Sequence, residues 1–279
     1  MPRVLIAGPV AWNLMIHLAE LPRPEPHMVV AEWHHEAVGG TSAGKALNLR
    51  RLGVPVTLMT VLGDDFYKDR IVGVLQNAGV DLVAVPSATG TERHTNLMSA
   101  NGQRTSIYLN LPEPAGPITV PPLGDADVVV ADLAAFSLPV LRAAREAGRE
   151  IWCDLHDWDG EAEFQREFAE TADVIFASAD RLPDPVVFMR ERIEAGARLV
   201  VCTFGAEGAM ACERGADPIH VPASRVASVM DTNGAGDAFF AGVLAGRLRG
   251  LPLEESLRQG AEAGAAAVQS KELAGPGLS

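Results

Sequence analysis

The chain has 279 residues, of which 48% are hydrophobic, and it carries a formal net charge of −13. This length allows one large domain with a sizeable core, and the acidic balance excludes a nucleic-acid partner held by a basic surface. Its three cysteines, Cys153, Cys202 and Cys212, lack the spacing of a metal site, so we expect buried, reduced thiols.

Strand-like runs alternate with helical patterns along most of the chain. The first run, VLIAG at residues 4–8, is too short for a signal peptide or a membrane span, so we expect a cytoplasmic protein without a membrane partner. Further apolar runs predict buried strands at residues 56–63, 127–133, 151–155, 173–178 and 198–205. Helical patterns lie between the runs, and several end at a glycine suited to a helix C-cap. The alternation predicts a doubly wound α/β fold, with a mostly parallel sheet flanked by helices, as a single domain over residues 1–279.

Two stretches interrupt this alternation, at about residues 11–38 and 88–112. The second contains Asn101-Gly102 between β-rich runs, a pair that is typical of a tight hairpin turn. We expect strands inserted at both stretches to form a small β-sheet lid over the site. Because an exposed sheet edge invites pairing with another chain, the lid strands are also the expected interface of a homodimer.

Residues 39–47 read GGTSAGKAL and come within one residue of a phosphate-binding Walker A loop. Gly39 to Lys45 supply the glycines and the lysine at the required spacing. Ala46, however, stands where the loop needs a hydroxyl to bind magnesium. The motif alone therefore does not establish a nucleotide site.

Residues 231–246 read DTNGAGDAFFAGVLAG and place a Gly-Ala-Gly turn directly before an apolar helical pattern. Such a turn exposes the backbone N–H groups of Ala235, Gly236 and Asp237 at a helix N-terminus, where anions bind. Glycine, as at Gly234, lets the backbone approach a phosphate closely. Asp237 beside this anion hole is then the natural general base for a substrate hydroxyl. An N-capping aspartate on a glycine-rich buried helix is the alternative.

This segment resembles the C-terminal signature of the ribokinase (PfkB-type) family of carbohydrate kinases. Weaker marks follow in the family's order, from about residue 4 to about residue 268: Gly39-Gly40 with a helix ending at Arg51-Leu52-Gly53, then VLGDDFYKD (61–69), NAGVD (77–81), GQRTSIYL (102–109) and VCTFGAEGAM (201–210). The resemblance implies a ribokinase-like fold and a kinase that uses ATP and Mg²⁺. Its substrate would be a hydroxymethyl group of a small sugar or sugar derivative, with Asp237 as base and Gly234, Ala235 and Gly236 as anion hole.

The resemblance also implies which residues bind the ligands. Asn13, Gly39 and Gly40 would hold the sugar, so that GGTSAGKAL is not a P-loop and Lys45 lies on the surface of its helix. The residues that the resemblance places near ATP are Thr203, Gly205, Gly208 and Ser178. Asp231 would bind a monovalent cation such as K⁺, as its counterpart does in some relatives.

Several positions depart from the family pattern. Asn13 stands where a carboxylate usually grips the sugar hydroxyls, and Gly44 stands where an asparagine is usual. The stretch SADR, residues 178–181, replaces an Asn-x-x-Glu motif that organises the magnesium shell. We expect Asp180 to supply the missing carboxylate. The departures on the sugar side leave the identity of the sugar open.

Further polar residues have two interpretations each. Asp154 and His156 follow a predicted strand, at the edge where ligands bind in parallel sheets, and they either line the substrate pocket or hold the loop through Asx turns. Arg93, His94 and Arg104 of the expected lid either recognise an anionic group of the substrate or are solvated charges.

Other functions remain beside the sugar kinase. A nucleoside kinase would use the same architecture and chemistry, and a ligand-binding or regulatory member would keep the fold with weak catalysis. A dinucleotide-dependent oxidoreductase ranks last, because the glycine turn lacks the third glycine of that fingerprint and lies late in the chain.

Overall fold

The computed structural model describes residues 3–100, 103–124 and 126–274 of the chain. The strands of these residues are β1 (Val4–Ala7), β2 (Ala11–Leu18), β3 (Trp33–Gly39), β4 (Val56–Leu62), β5 (Asp81–Pro86), β6 (Glu92–Ser99), β7 (Arg104–Asn110), β8 (Val128–Ala131), β9 (Glu150–Asp154), β10 (Val174–Ser178), β11 (Leu199–Thr203), β12 (Ala209–Glu213) and β13 (Ile219–Val221). The helices are α1 (Thr41–Arg51), α2 (Phe66–Asn77), α3 (Leu138–Glu146), α4 (Glu163–Thr171), α5 (Pro185–Glu194), α6 (Ala235–Leu248) and α7 (Leu253–Ala267).

A nine-stranded sheet forms the centre of the molecule, in the order β13-β12-β11-β10-β9-β8-β1-β4-β5. Neighbouring strands pair parallel except at one edge, where β12 pairs antiparallel with both β11 and β13. The six strands predicted from apolar runs are all present and all parallel, as expected for α/β alternation. The fold class predicted from the sequence is therefore confirmed.

Both faces of the large sheet are covered by apolar side chains. Val4 and Ile6 of β1 join one core cluster, whereas Leu5 and Ala7 join the other. Side chains of successive strand residues point to opposite faces, so a strand buried on both faces reads as a continuous apolar run. The three cysteines are free and buried, as expected.

A separate four-stranded sheet has the order β3-β2-β6-β7. Its strands lie at residues 11–39 and 92–110, close to the two predicted insertions. β6 and β7 pair antiparallel, as a hairpin requires. The predicted turn at Asn101-Gly102 lies outside the described residues.

Helix α6 lies between α1 and α7, and its residues 237–246 are all buried. It packs closely on α7, because a Cβ added at Gly242 would lie 2.7 Å from Gly260 Cα. Among the described residues, none of the helices combines the length and apolarity needed to cross a bilayer.

Candidate active site

Polar side chains gather at the carboxyl ends of four neighbouring parallel strands. Asp132 follows β8 and Asp154 ends β9, while Ser178 and Thr203 end β10 and β11. Ser178 and Thr203 are directly paired in the strand register, so two residues expected near ATP are neighbours. This edge is where ligands bind in parallel α/β sheets.

The N-terminus of α6 lies beside these strand ends, and its geometry resembles the predicted turn. Gly234 caps the helix with φ +77°, in the left-handed region that favours glycine. The Ala235 N–H donates to Thr232 O at 3.3 Å, whereas those of Gly236 and Asp237 have no acceptor among the described residues. The turn therefore offers two unpaired donors rather than the expected three, and its role as an anion hole stays a prediction.

Lys45 is fully buried, so its expected place on the helix surface was wrong. Its Nζ atom lies 3.0 Å from Asp132 Oδ1, 3.1 Å from Asp237 Oδ1 and 3.5 Å from Asp154 Oδ2. The reason is charge: a lysine is buried when carboxylates compensate the loss of water, and here there are three. Helix α1 carries Lys45 inward because residues 42–49 are all buried between the sheet and α6.

Gly44 makes room for the carboxylate of Asp237. A Cβ added at Gly44 would lie 2.6 Å from Asp237 Oδ2 and 2.9 Å from its Cβ. Contacts that short require the neighbour to move, and Asp237 is itself buried. The position at which relatives usually carry asparagine thus has to be small in this chain.

The protonation of the cluster follows from burial and neighbouring charge. Burial raises the pKa of Asp237 to about 6, although the charges of Lys45 and His156 oppose the shift. Burial alone would raise the pKa of Asp154, but His156 and Lys45 hold it below its ordinary value. Burial alone would lower the pKa of Lys45, yet Asp132, Asp237 and Asp154 hold it above its ordinary value. Lys45 is therefore an ammonium at neutral pH.

Asp154 holds its loop through an Asx turn, whereas its predicted place in the substrate pocket stays a prediction. Its Oδ1 atom accepts a hydrogen bond from the His156 N–H at 3.0 Å, which is the Asx turn, while Oδ2 faces Lys45. His156 has φ +53°, in the left-handed region that non-glycine residues rarely adopt. Its ring Nδ1 lies 3.7 Å from Asp154 Oδ2, so the strained loop aims the imidazole at the cluster.

Among the residues predicted to bind the sugar, Asn13 of β2 lies against Gly39 of β3. A Cβ added at Gly39 would lie 2.1 Å from Asn13 Nδ2, so only glycine fits beside this amide. Asn13 Oδ1 is buried and has no hydrogen-bond partner among the described residues. A buried acceptor without a partner suits a hydroxyl of a ligand. Gly40, which follows Gly39, is the N-cap residue of α1, the helix that carries Lys45.

Among the residues predicted to lie near ATP, Gly205 begins a single 3₁₀ turn that ends before Gly208. Gly208 has φ +102°, and a Cβ there would lie 2.1 Å from Val221 O. A second 3₁₀ turn, Ala179–Arg181, directly follows β10 and carries Asp180. The carboxylate of Asp180 is exposed and without a protein partner among the described residues, while Arg181 turns away to Asp159 at 3.1 Å.

The donor set around Asp180 suits magnesium bound together with a nucleotide. Among the described residues, no group of three or more His, Cys, Asp or Glu side chains could enclose a metal ion. Mg²⁺, however, usually takes only one or two carboxylates and completes its shell with water and substrate phosphates. Asp231 is less open, because its Oδ1 accepts from the Asn233 N–H at 2.8 Å and its Oδ2 lies 4.0 Å from His17 Nε2. The cation assignments stay predictions.

Two of the three polar residues singled out in the small sheet contact nearby side chains, one on helix α2 and one on β6. The Arg93 guanidinium lies 3.9 Å from the centre of the Tyr67 ring, and His94 Nε2 lies 2.7 Å from Glu92 Oε1. Arg104 instead donates to Asn233 Oδ1 at 3.2 Å, which joins the small sheet to the loop before α6.

Sequence reasoning missed Lys45, Asp132 and Ser42 as members of the site. Asp132 follows an apolar strand, as Asp154 does, so the same edge rule applied to DVVVADL would have found it. Ser42 donates to Asp132 Oδ2 at 2.7 Å and carried no signal of its own.

The comparisons with known proteins agree with this geometry. The profile of the pfkB family carbohydrate kinases matches residues 9–278. The chain is 35% identical to acarbose 7(IV)-phosphotransferase of Actinoplanes sp. over 271 residues, and this match covers 94% of this chain and 90% of that protein. A microbiome-derived acarbose kinase has a similar structure, with a TM-score of 0.85 at 30% identity over 96% of this chain and 93% of that one. Arabidopsis thaliana ribokinase complexed with ribose and ATP shares the fold, with a TM-score of 0.79 at 22% identity over 98% of this chain and 94% of that one.

Proposed function

Because the chain belongs to the pfkB family of carbohydrate kinases, we propose that it transfers the γ-phosphoryl group of ATP to a hydroxymethyl group of a sugar or sugar derivative. One observation carries this proposal: Asp237 lies in the first turn of α6, beside two unpaired N–H groups. Base and anion-binding donors are thus within one helical turn of each other, as phosphoryl transfer requires.

In the proposed reaction the substrate hydroxyl gives its proton to Asp237. Lys45 engages Oδ1 of this carboxylate, which leaves Oδ2 to accept the proton. The hydroxymethyl oxygen forms a bond to the γ-phosphorus while the bond to the bridging oxygen breaks, and ADP leaves. The N–H groups of Gly236 and Asp237 face the negative charge on the transferring group. The pKa of about 6 leaves Asp237 mostly ionised at neutral pH.

Magnesium, when bound with the nucleotide, neutralises charge on the phosphates. Asp180 is the residue we propose to hold it, since its carboxylate is free at the strand edge next to Ser178 and Thr203. Thr203, Gly205 and Gly208 form the proposed ATP turn. A K⁺ ion at Asp231 is a further proposal, which activation by K⁺ but not Na⁺ would support.

The charge balance of the site favours an acceptor that is uncharged at its reacting end. Three carboxylates surround one ammonium, so the cluster is negative overall. A sugar phosphate directed at this cluster would be repelled, whereas sugar hydroxyls find the free oxygen of Asn13 and the glycine pair Gly39-Gly40. The acarbose kinase relatives support a sugar-derived substrate of this kind.

The proposal is tested by measuring ADP release from ATP and magnesium across acarbose, maltooligosaccharides, pentoses, hexoses, sugar phosphates and nucleosides. We expect turnover with an unphosphorylated sugar or sugar derivative. Asp237→Asn should lower kcat by about 10²–10⁴-fold, the usual contribution of a general base. Asp217→Asn, at an exposed position between β12 and β13, is the matched control.

Three results would contradict the proposal. Turnover of equal rate in Asp237→Asn and wild type would remove Asp237 as the base. A folded protein that binds ATP yet turns over nothing in the panel would point instead to a ligand-binding or regulatory member of the family. Turnover confined to nucleosides would favour the nucleoside kinase.

A further inference from the structure

Lys45 is a buried cation that contacts three carboxylates of the site. We propose that it is a positioning residue, which holds Asp237 in the orientation of a base and keeps Asp132, Asp154 and Asp237 ionised together. The inference rests on the proposed function only in taking Asp237 as the base. Nothing in the resemblance to the family assigned this role to the lysine.

The geometry excludes a direct role of Lys45 in phosphate binding. An ammonium has three N–H donors, and three carboxylates lie within 3.5 Å of Nζ. The side chain is 0% exposed, so neither a phosphate nor a sugar reaches it. The Phe240 ring also packs against the ammonium group, with its centre 5.0 Å from Nζ. Lys45 therefore acts on the substrate only through Asp237 and Asp154.

Asp132 completes the cluster as the fixed counter-charge. It is 0% exposed, and its Oδ2 accepts from Ser42 Oγ at 2.7 Å, which orients the carboxylate. Its Oδ1 meets Lys45 at 3.0 Å as an ion pair without a well-aligned hydrogen bond. Thr41 Oγ1 also donates to Oδ2 at 3.4 Å, so helix α1 contacts Asp132 through three residues, Thr41, Ser42 and Lys45.

The charged groups around the base come from four elements. They are Lys45 of α1, Asp132 after β8, Asp154 and His156 at the end of β9, and Asp237 of α6. Without the ammonium, three buried carboxylates would face one another, and His156 would be the remaining basic side chain in contact with them among the described residues. Like charges at this separation do not all ionise, so one carboxylate would take up a proton. Asp237 already has the raised pKa and would be protonated first.

The test replaces Lys45 with methionine, which has a similar shape and no charge. In Lys45→Met we expect the acid limb of the kcat/KM profile to move upward by at least 1 pH unit, since a protonated Asp237 accepts no proton. Lys68→Met removes a partly exposed lysine of α2, paired with Asp64, and should leave the profile unchanged. A limb that stays in place in folded Lys45→Met would overturn the proposal.

A second variant covers the case in which Lys45→Met does not fold. Lys45→Met/Asp132→Asn removes the ion pair with both its charges, so the double variant should be more stable than the single one. We expect the acid limb of its kcat/KM profile to lie above that of wild type, because Asp237 has lost the ammonium beside it. A limb at the wild-type position in the folded double variant would overturn the proposal.

A third measurement separates this inference from the proposed function. The carboxyl carbon of Asp237, labelled with ¹³C and assigned by its absence in Asp237→Asn, is titrated by NMR without any substrate. We expect its midpoint to rise in Lys45→Met, whether or not a substrate has been found. An unchanged midpoint refutes the role of Lys45, whereas a shifted midpoint in a protein without turnover refutes only the kinase proposal.

Discussion

The ionisation of Asp237, the proposed base, predicts the pH range of the activity. Burial raises its pKa to about 6, and a carboxylate acts as a base only when ionised. We therefore expect kcat/KM to fall as pH decreases through about 6, approaching tenfold per pH unit. Asp154, whose pKa is lowered, remains ionised across this range. If kcat/KM instead fell only near pH 4, the ordinary pKa of an aspartate, the carboxylate of Asp237 would be solvated rather than buried.

Gly44 is a second residue on which the position of the base depends. Gly44→Ala places a Cβ 2.6 Å from Asp237 Oδ2, and the buried carboxylate must move. A displaced base loses its alignment with the substrate, so we expect kcat to fall by about 10–100-fold. Steady-state kinetics measure this loss. Gly73→Ala, on an open face of α2 where a Cβ meets nothing, is the control. A kcat for Gly44→Ala within about twofold of wild type would contradict the close contact.

At the residue scale the sequence predicted only part of the site. Asp237 and Asp154 could be found because each occupies a position with general meaning, a helix start and a strand end. Lys45 could not, because the burial of a lysine depends on carboxylates that are 87 to 192 residues away in sequence, a distance that no local pattern reports. Its three partners, Asp132, Asp154 and Asp237, meet it only in the folded chain.

At the scale of elements, the contact between α6 and α7 depends on a pair of glycines. Gly242→Ala would place a Cβ 2.7 Å from Gly260 Cα and 2.8 Å from Gln259 O, and backbone atoms cannot yield as a side chain can. We expect a loss of about 1–3 kcal/mol of stability, measured by urea unfolding. Gly73→Ala should instead stabilise by about 0.5–1 kcal/mol, since its helix position is open. Equal stability of Gly242→Ala and Gly73→Ala would contradict the close packing of α6 on α7.

The elements that were predicted and those that were missed differ in burial. Strands buried on both faces, such as β1 and β8, have every residue apolar and stand out in the sequence. β5 lies at the edge of the sheet and has no fully buried residue, and its apolar stretch at residues 82–85 begins with a polar Asp81 and ends at Pro86, so it was not predicted as a buried strand. β12 and β13 form the other edge, where β12 runs antiparallel to both of its neighbours, which an alternation of strand and helix does not indicate.

At the scale of the whole molecule, the outer edge of the small sheet is the proposed dimer interface. Edge strand β7 exposes three consecutive side chains with large apolar surfaces. The solvent-accessible fraction is 45% for Ile107, 59% for Tyr108 and 51% for Leu109. We expect wild-type protein to sediment at twice the mass of the chain. Ile107→Lys/Leu109→Lys should sediment as a monomer, because charges on an edge strand oppose pairing. A monomeric wild type at micromolar concentration would exclude this interface.

The burial of Lys45 also gives the folded protein an internal chemical reporter. The sequence contains three lysines, and the other two, Lys68 and Lys271, are partly or largely exposed. An amine-reactive reagent therefore modifies those two side chains quickly, whereas it reaches Lys45 only when α1 separates from α6. The slow acylation of Lys45, followed by peptide mass spectrometry, thus times the opening of the catalytic centre in the native protein. Any ligand that closes the site should lengthen that time.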